Sequence, residues 1–285
     1  MSSRARVFLV FTAGGLLFAQ RPSETPAPAL TYQHQPLRLP LACRAEDFEA
    51  AGLDCSEEEP CRVFLELTAV DAAVSKVLLV GNLHTAVATV SAIALLSEDA
   101  GATWRQPVKG EPGGGFESVQ FLDPQRAWIS VLSQGSLAAD PYLLATVDGG
   151  HTWQKLAIWT EEGRAGLLQL FQFDSKTHGL ALIDRSAAGT FNDRYELYET
   201  LDGGASWVLR QISSRPITLK WTARRNPDWR LREDPKVKTY ELERRAGESW
   251  VRMANFRAEL GVCKTLERKG VAPEAGPERS PDPIP

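Results

Sequence analysis

Apolar residues occur in short runs along this chain, and polar or glycine-containing segments separate the runs. Many of the runs are rich in leucine, β-branched and aromatic side chains, which is typical of β-strands. The runs fall into four successive groups of four. We predict strands at residues 63–70, 76–80, 92–97 and 103–108; 116–121, 126–132, 142–147 and 152–158; 167–173, 179–183, 195–201 and 206–212; and 217–221, 229–232, 239–243 and 249–254. The pattern therefore predicts an all-β chain.

A repeated eight-residue segment joins the third and fourth strands in three of the groups. Its members share the pattern Ser/Thr-x-Asp-x-Gly-x-Thr/Ser-Trp. They are Ser97, Asp99, Gly101, Thr103 and Trp104; Thr146, Asp148, Gly150, Thr152 and Trp153; and Thr200, Asp202, Gly204, Ser206 and Trp207. A degenerate fourth copy keeps Gly247, Ser249 and Trp250 but has Arg245 in place of the aspartate. The tryptophans recur at intervals of roughly 43 to 54 residues, which indicates a repeat architecture.

The residue types in this segment suit a tight turn between two strands. An aspartate accepts hydrogen bonds from backbone N–H groups of the turn, and a glycine adopts positive φ without steric cost. The tryptophan provides a large apolar surface for packing one sheet on the next. We therefore interpret the segment as a structural turn, and not as a catalytic or metal-binding site.

These residues resemble the Asp-box, or bacterial neuraminidase repeat. That motif occurs in sialidases, in sortilin-type receptor domains and in the photosystem II assembly and stability factor family, whose boxes are the most similar. All are β-propellers, so the resemblance implies a propeller of four-stranded blades over about residues 62–255. We expect four blades, with a fifth blade or an incomplete ring as alternatives. One repeat serves unrelated activities, so the resemblance leaves function open.

The ends of the chain differ in composition from the repeats. Arg4 and Arg6 precede an apolar run over 7–19, which is typical of a signal peptide. An uncleaved membrane anchor is the alternative. We predict a signal peptide at 1–20, a proline-rich linker and cysteine-containing segment at 21–60 with a short strand at 37–41, the propeller at 61–258 and a disordered tail at 259–285. The protein is then extracytoplasmic, either periplasmic or secreted, with no membrane span after signal cleavage.

Four cysteines in an exported chain indicate two disulfides, with three possible pairings. Cys61 stands at the start of the repeats and Cys263 just after them. We expect these two to join the ends of the ring, which leaves Cys43 to pair with Cys55. The cysteine spacings do not match a zinc site, and we expect neither a metal nor a cofactor.

Three long segments separate the second and third strands of the first three groups, at 81–91, 133–141 and 184–194. Successive strands reverse direction, so these loops leave the sheets at the edge opposite the repeated turns. Insertions confined to one face of a repeat protein usually mark its binding surface. We therefore predict that the partner binds there, although the loops could merely cover the end of the channel.

A second candidate site is the arginine-rich fourth repeat, which contains Arg224, Arg225, Arg230, Arg232 and Trp229. Arginine beside an aromatic ring suits carboxylates, phosphates or sulfated sugars. The alternative is an ordinary solvated strand face, because acidic residues occur in the same repeat.

The sequence favours a non-enzymatic binding or assembly protein, expected to be a monomer, with a protein or glycan ligand. A net charge of −4 gives no indication of nucleic-acid binding. The alternatives are a carbohydrate-binding module and a sialidase-type glycoside hydrolase. The hydrolase needs three arginines, a Tyr–Glu pair and an acidic aspartate. Tyr195–Glu196 and Tyr198–Glu199 are adjacent in sequence, which places the two members of each pair on opposite faces of a strand.

Overall fold

The computed structural model describes residues 29–133, 140–186, 189, 194–218 and 226–267. Apart from one short helix, the regular structure of these residues is β. The elements are β1 (Leu30–Thr31), α1 (Ala45–Ala50), β2 (Cys61–Ala73), β3 (Lys76–His84), β4 (Thr89–Ser97), β5 (Thr103–Trp104), β6 (Gly114–Phe121), β7 (Ala127–Ser133), β8 (Tyr142–Thr146), β9 (Gln154–Ala157), β10 (Leu167–Phe173), β11 (Gly179–Asp184), β12 (Tyr195–Thr200), β13 (Val208–Ser213), β14 (Trp229–Asp234), β15 (Thr239–Ala246), β16 (Ser249–Arg257) and β17 (Glu259–Cys263).

The strands form four antiparallel sheets that are the blades of a β-propeller, which confirms the predicted fold class. Blade one has the order β17-β2-β3-β4, blade two β6-β7-β8-β9, blade three β10-β11-β12-β13 and blade four β14-β15-β16. The strand predicted at 217–221 lies mostly outside the described residues. The strands β2, β6 and β10 each contain a register shift against the next strand, for example between Leu168 and Leu170 of β10. Such a shift is typical of a β-bulge.

Apolar side chains pack the blades face to face in the spatial order four, one, two, three. Leu95 of blade one and Phe256 of blade four lie in one buried cluster. Leu96 of blade one shares a second cluster with blade two. Trp128 of blade two stacks on Phe173 of blade three with the ring centroids 3.9 Å apart. Among the described residues, no core cluster contains side chains of both blade three and blade four.

The face of blade four that points away from blade one is polar. Arg230 lies opposite Glu243 and Arg232 lies opposite Glu241 in the ladder between β14 and β15. The alternate positions, such as Leu242, lie in the core shared with blade one. Terminal repeats of repeat proteins commonly carry such a polar outer face, since it keeps the end of the array soluble.

Residues 29–60 pack against blades one and four, so this segment is more than the linker that its composition suggests. β1 pairs with β5, and Leu37 donates its backbone N–H to Asn255 O at 2.8 Å. Leu39 and Phe48 are fully buried. The strand predicted at 37–41 is reduced to a single bridge between Leu37 and Phe256. Because this segment buries large apolar side chains, it contributes to the core.

The C-terminal side of the domain also differs from the prediction. Residues 259–263, which the sequence assigns to the start of a disordered tail, form β17 and pair with β2. Residues 268–285 lie outside the described part of the chain, as does the signal peptide predicted at 1–20. Within the described residues, no helix is long and apolar enough to cross a membrane.

The predicted cysteine pairing is wrong. The disulfides join Cys43 to Cys263 and Cys55 to Cys61, each with Cα atoms 5.5 Å apart. The N-terminal segment explains the difference, because Cys43 O accepts a hydrogen bond from Glu267 N at 2.7 Å and this contact brings Cys43 beside β17. Cys263 thus ties the C-terminal strand to the N-terminal segment instead of to Cys61, its neighbour across the sheet. The Cys43–Cys263 disulfide still links the two ends of the domain covalently, as expected, although through a different N-terminal cysteine.

The first of the three predicted insertions is also wrong. β3 continues to His84 and β4 begins at Thr89, so that the loop predicted at 81–91 is only the turn 85–88. Its closure is made by Thr85, whose backbone N–H donates to Ala88 O at 2.8 Å. The other two loops lie partly outside the described residues, at 134–139 and at 187–188 and 190–193. Long connections after the second strand therefore occur in blades two and three.

Candidate binding face

The three repeated turns share one hydrogen-bond pattern. Asp202 accepts a bond from the Ser206 backbone N–H at 2.8 Å and one from the Ser206 hydroxyl at 2.5 Å. Thr200 Oγ1 donates to Asp202 at 2.8 Å and accepts from Gly204 N at 2.9 Å. The hydrogen bonds from Ser206 lower the pKa of Asp202 to about 2. The aspartate is therefore ionised and saturated with donors from its own turn.

The same bonds recur in the other two turns. Asp99 accepts from Thr103 N at 2.8 Å, and Asp148 accepts from Thr152 N at 2.9 Å. The tryptophans point inward, and Trp104 is only 1% exposed. Other members of the pattern also make turn bonds: Ser97 and Thr146 accept from Gly101 and Gly150, and Trp207 donates to Gly204. Each of these bonds closes the turn and presents no group to a ligand.

The fourth copy is a plain hairpin. Ala246 and Ser249 are paired across it, and Gly247 takes a φ of 63°. Ser249 donates its hydroxyl to Ala246 O at 3.0 Å. Trp250 remains partly exposed, and the Arg230 guanidinium lies 4.2 Å from its ring centroid. This copy has no aspartate to accept hydrogen bonds from the turn. Its turn consists of only two residues, Gly247 and Glu248, between the paired Ala246 and Ser249.

We call the edge of the blades opposite the repeated turns the loop face. In blade three, the repeated turn joins the end of β12 to β13, while the other end of β12 pairs Tyr195 with Asp184 of β11. Leu167, the first residue of β10, lies opposite the same Asp184. The connection 158–166 from blade two to blade three therefore meets residues 184–195 at this edge.

Trp159 is the centre of the loop face between blades two and three. Two guanidinium groups lie against its ring, those of Arg164 and Arg185, each 5.0 Å from the ring centroid. Such cation–π contacts hold an arginine in a fixed orientation. Gly166 makes the packing close, because a Cβ atom there would lie 2.7 Å from Ile183 and 3.0 Å from the Trp159 ring.

A buried carboxylate, that of Glu196, orders both of these arginines. Glu196 is 6% exposed and accepts from Arg164 Nη2 at 3.2 Å and from Arg185 Nη1 at 3.1 Å. It also accepts the Tyr198 hydroxyl at 2.6 Å. Burial and the neighbouring Glu196 raise the pKa of Tyr198 to about 12. Removing one partner of a buried ion pair typically costs about 3–5 kcal/mol, because the other charge is left buried and unpaired. Glu196 therefore ties both arginines to this position.

A second ion pair lies on the same edge. Arg194 binds Asp184 through two nitrogens, Nε at 3.0 Å and Nη2 at 2.7 Å. These bonds lower the pKa of Asp184 to about 2. The guanidinium also lies 5.0 Å from the Tyr195 ring centroid. Asp184 is buried whereas Arg194 is partly exposed, so the pair presents its positive member to solvent.

The connection between the blades is held by one further carboxylate. Asp140, just before β8, accepts from Gly163 N at 2.7 Å and from Ala165 N at 2.9 Å. Both donors have positive φ, 79° and 53°. Asp140, which precedes β8 of blade two, therefore fixes the backbone that carries Arg164.

This arrangement suits recognition better than catalysis. Glu196 and Asp184 are each bound by two or more donors, so neither is free to accept a proton from a substrate. Tyr198 is 4% exposed, and its raised pKa keeps the phenol protonated. The accessible groups are the guanidiniums of Arg164 and Arg194, whose side chains are 33% and 39% exposed. Prealigned guanidiniums bind carboxylates through paired hydrogen bonds.

The arginine cluster predicted in the fourth repeat lies elsewhere, on blade four. Arg230 and Arg232 lie on its polar outer face and are ion-paired with Glu243 and Glu241. Trp229 is 7% exposed and packs in the core shared with blade one, so its ring offers a ligand no stacking surface. Arg224 and Arg225 lie outside the described residues. The described part of this cluster is a charge-paired strand face.

Sequence reasoning missed the cluster around Trp159 altogether. Adjacent Tyr and Glu residues do point to opposite faces of a strand, but residues two positions apart share a face. Glu196 and Tyr198 are separated by one residue on β12, and they are hydrogen-bonded to each other. This signal is present in the sequence. Nothing local indicates that Arg164 and Arg185 would join them, because they come from different elements.

Comparison with known proteins finds distant similarities. No protein-family model matches the chain, and no curated protein matches it. A structure of YCF48 bound to D1 peptide is similar with a TM-score of 0.36 and 18% identity over 70% of this chain and 59% of that chain. YCF48 from Cyanidioschyzon merolae gives 0.34 and 16% over 68% and 59%. The GH93 alpha-L-arabinofuranosidase of Fusarium graminearum with arabinobiose gives 0.34 and 13% over 71% and 63%. The chain thus spans less than two thirds of the length of these proteins, and the similarities assign it no activity.

Proposed function

We propose that this chain is an exported, non-enzymatic β-propeller that binds an acidic protein partner through the loop face. The observation that carries the proposal is the pair of partly exposed guanidiniums of Arg164 and Arg194. Each is oriented by a buried carboxylate and an aromatic ring. Because their order exists before a partner arrives, binding loses little side-chain entropy.

The two disulfides support the extracytoplasmic part of this proposal. Disulfides persist in oxidising compartments and are rare in the cytosol. All four cysteines are paired, with Cys43 bound to Cys263 and Cys55 to Cys61. We place the protein in the periplasm or outside the cell.

A glycoside hydrolase is the second candidate function, and the Tyr198–Glu196 hydrogen bond is the observation that favours it. A sialidase-type nucleophile requires a tyrosine activated by a neighbouring carboxylate. Here the carboxylate is neutralised by Arg164 and Arg185, and the phenol is buried between blades. The pair therefore stabilises the interface of blades two and three, and we favour binding over hydrolysis.

The test begins with capture of partners from the exported fraction on the purified mature chain. The affinity of each captured partner is then measured for four single variants. Arg164→Gln and Arg194→Gln change the loop face. Arg126→Gln and Arg210→Gln are matched controls near the repeated turns, where each arginine also forms an ion pair. We expect the loop-face variants to weaken binding about tenfold and to reduce its salt dependence.

Unfolding in urea provides the necessary check on these variants, since each substitution removes an ion pair. A tenfold loss of affinity counts as evidence for the binding surface only if the unfolding midpoint shows that the variant is folded at the assay temperature. Equal weakening by Arg126→Gln and Arg210→Gln, or full affinity of both loop-face variants, would place the binding surface elsewhere. Release of sugar from a sialoside or arabinoside substrate by the wild-type chain would instead favour the hydrolase.

A further inference from the structure

A cleft of about 540 Å³ lies on the polar outer face of blade four. One wall is the N-terminal segment at His34 and Pro36. The floor is formed by β15 and β16, and the turn between β14 and β15 forms the opposite rim. Its size falls in the range of small-molecule sites, which is about 300–1,000 Å³. The cleft is on a different blade from the loop face, so a ligand bound there is independent of the proposed function.

Two buried polar side chains of the cleft have atoms without hydrogen-bond partners in the described part of the chain. Thr239 is 3% exposed and Asn255 is 7% exposed. Neither Thr239 Oγ1 nor Asn255 Oδ1 is hydrogen-bonded there. An unsatisfied buried polar atom costs about 1–3 kcal/mol, which makes two such atoms lining one cleft a poor solution for stability alone. They are suited to a ligand that supplies their partners.

The charged groups around these atoms divide into paired and unpaired ones. Glu241, on the floor beside Asn255, is bound by both Arg232 and Arg252. Arg257 lies directly opposite Thr239 in the ladder between β15 and β16. Its side chain forms no ion pair with another described residue.

The rim carries two more charges of the same unpaired kind. Lys238 precedes Thr239, and Glu259 follows Arg257 after one residue. Both line the cleft, and neither forms an ion pair within the described residues. The open charges are therefore two positive groups and one negative group, set beside a hydroxyl and an amide oxygen.

We propose that this cleft binds a small zwitterion with the chemistry of an α-amino acid. Its carboxylate is bound by Arg257 and Lys238 and accepts a hydrogen bond from the Thr239 hydroxyl. Its ammonium group donates to Asn255 Oδ1 and is paired with Glu259. A simple anion would leave Glu259 and the Asn255 amide oxygen without a partner, and a simple cation would leave the exposed Arg257 and Lys238 without an ion-pair partner.

The test is an NMR titration of the full mature chain with L-alanine, propionate and ethylammonium as separate probes. The last two carry only one of the two charged groups of alanine. We expect alanine to shift the amide signals of Thr239 and Asn255, and the two single-charge probes to bind at least about tenfold more weakly. No saturable shift with alanine in the millimolar range overturns the proposal, as does propionate binding as tightly as alanine.

Variants separate the site from general surface effects. Arg257→Ala and Glu259→Gln are each expected to weaken alanine binding about tenfold. Arg62→Ala and Glu248→Gln make the same changes outside the cleft and should leave the affinity unchanged. Thr239→Val removes a hydroxyl that has no partner in the described chain, so it should weaken binding while the melting temperature stays equal or rises. Equal effects of the control variants, or alanine binding that all three cleft variants leave intact, would contradict the assignment.

Discussion

Replacing Thr200 by valine tests how the repeated turns stabilise the fold. Thr200 is 1% exposed, and its hydroxyl accepts the buried Gly204 N–H at 2.9 Å while donating to Asp202 at 2.8 Å. Valine keeps the shape of the side chain but leaves that N–H without a partner. A buried unsatisfied donor costs about 1–3 kcal/mol, so we expect Thr200→Val to lower the free energy of unfolding by about 2 kcal/mol.

Two other threonines make the experiment internally controlled. Thr146 of the second turn is 2% exposed and makes the equivalent bonds, so Thr146→Val should cost about the same. The two turns lie in different blades, and the double variant should therefore lose about 4 kcal/mol. Thr239 is also buried, but its hydroxyl has no partner within the described chain. Thr239→Val should be neutral or slightly stabilising.

Equilibrium urea unfolding measures all four variants, and equal m-values would show that the variants expose the same surface on unfolding as the wild-type chain. A cost of less than about 0.5 kcal/mol for Thr200→Val would refute the reasoning, since the lost hydroxyl would then have made no net contribution. So would a Thr239→Val variant as unstable as Thr200→Val, because the loss would then come from the substitution of threonine itself and not from its hydrogen bonds.

Two further predictions concern the ends of the chain and pH. Peptide mapping without reduction should recover Cys43 linked to Cys263, and replacing both with serine should lower the free energy of unfolding by up to about 5 kcal/mol in the chain-entropy model; recovery of Cys263 on any other partner would contradict the structure. His178 contacts Asp174 at 2.7 Å and Glu199 at 2.9 Å, and these bonds raise its pKa. Its stabilisation is therefore complete below the unfolded pKa of about 6.5 and lost as pH rises through the raised folded pKa, so the stability cost of His178→Asn should be largest below about pH 6 and should decline as the pH is raised; a cost that does not change with pH would rule out the ion-pair interpretation.

The parts of the fold that depend on local sequence were predictable. β10 has the bounds expected from the sequence, because Leu167 to Phe173 is an apolar run between a glycine-containing segment and a Ser–Lys–Thr turn. The strand pairs around the second and third repeated turns, β8 with β9 and β12 with β13, follow for the same reason. The strand predicted at 103–108 after the first turn is wrong in length and pairing, because β5 covers only Thr103–Trp104, pairs with β1, and meets β4 at a single bridge between Leu96 and Arg105. A turn whose aspartate binds its own backbone determines where each strand ends without help from the rest of the chain.

The wrong predictions concern places where distant segments meet. Cys43 reaches Cys263 only because the N-terminal segment packs along the blades, and no local pattern indicates that packing. Most of the loop predicted at 81–91 is strand in the structure. The prediction ended β3 too early because polar Asn82 and His84 interrupt its apolar run. In the structure, Asn82 Nδ2 donates to Glu66 on β2 at 3.1 Å, so a long-range contact supplies the reason for a polar residue in that strand.

The candidate site was predictable only in its position. The edge of the blades follows from strand alternation, and the loop face lies at that edge. Its chemistry comes from Trp159 and Arg164 of one connection, Arg185 after β11, and Glu196 of β12. In a chain with 24% charged residues, no sequence pattern distinguishes Arg164 and Arg185 from the other arginines. Only the structure shows that both lie against one aromatic ring and one buried carboxylate.

The most direct test of the account is hydrogen–deuterium exchange of the chain with and without its captured partner. The proposed function predicts that protection on binding is concentrated in peptides covering 158–166 and 184–196, on the loop face. Peptides covering the repeated turns at 146–153 and 200–207 should exchange at unchanged rates. Protection confined to those turns, or to the outer face of blade four, would contradict the proposal that this propeller binds its partner through the loop face.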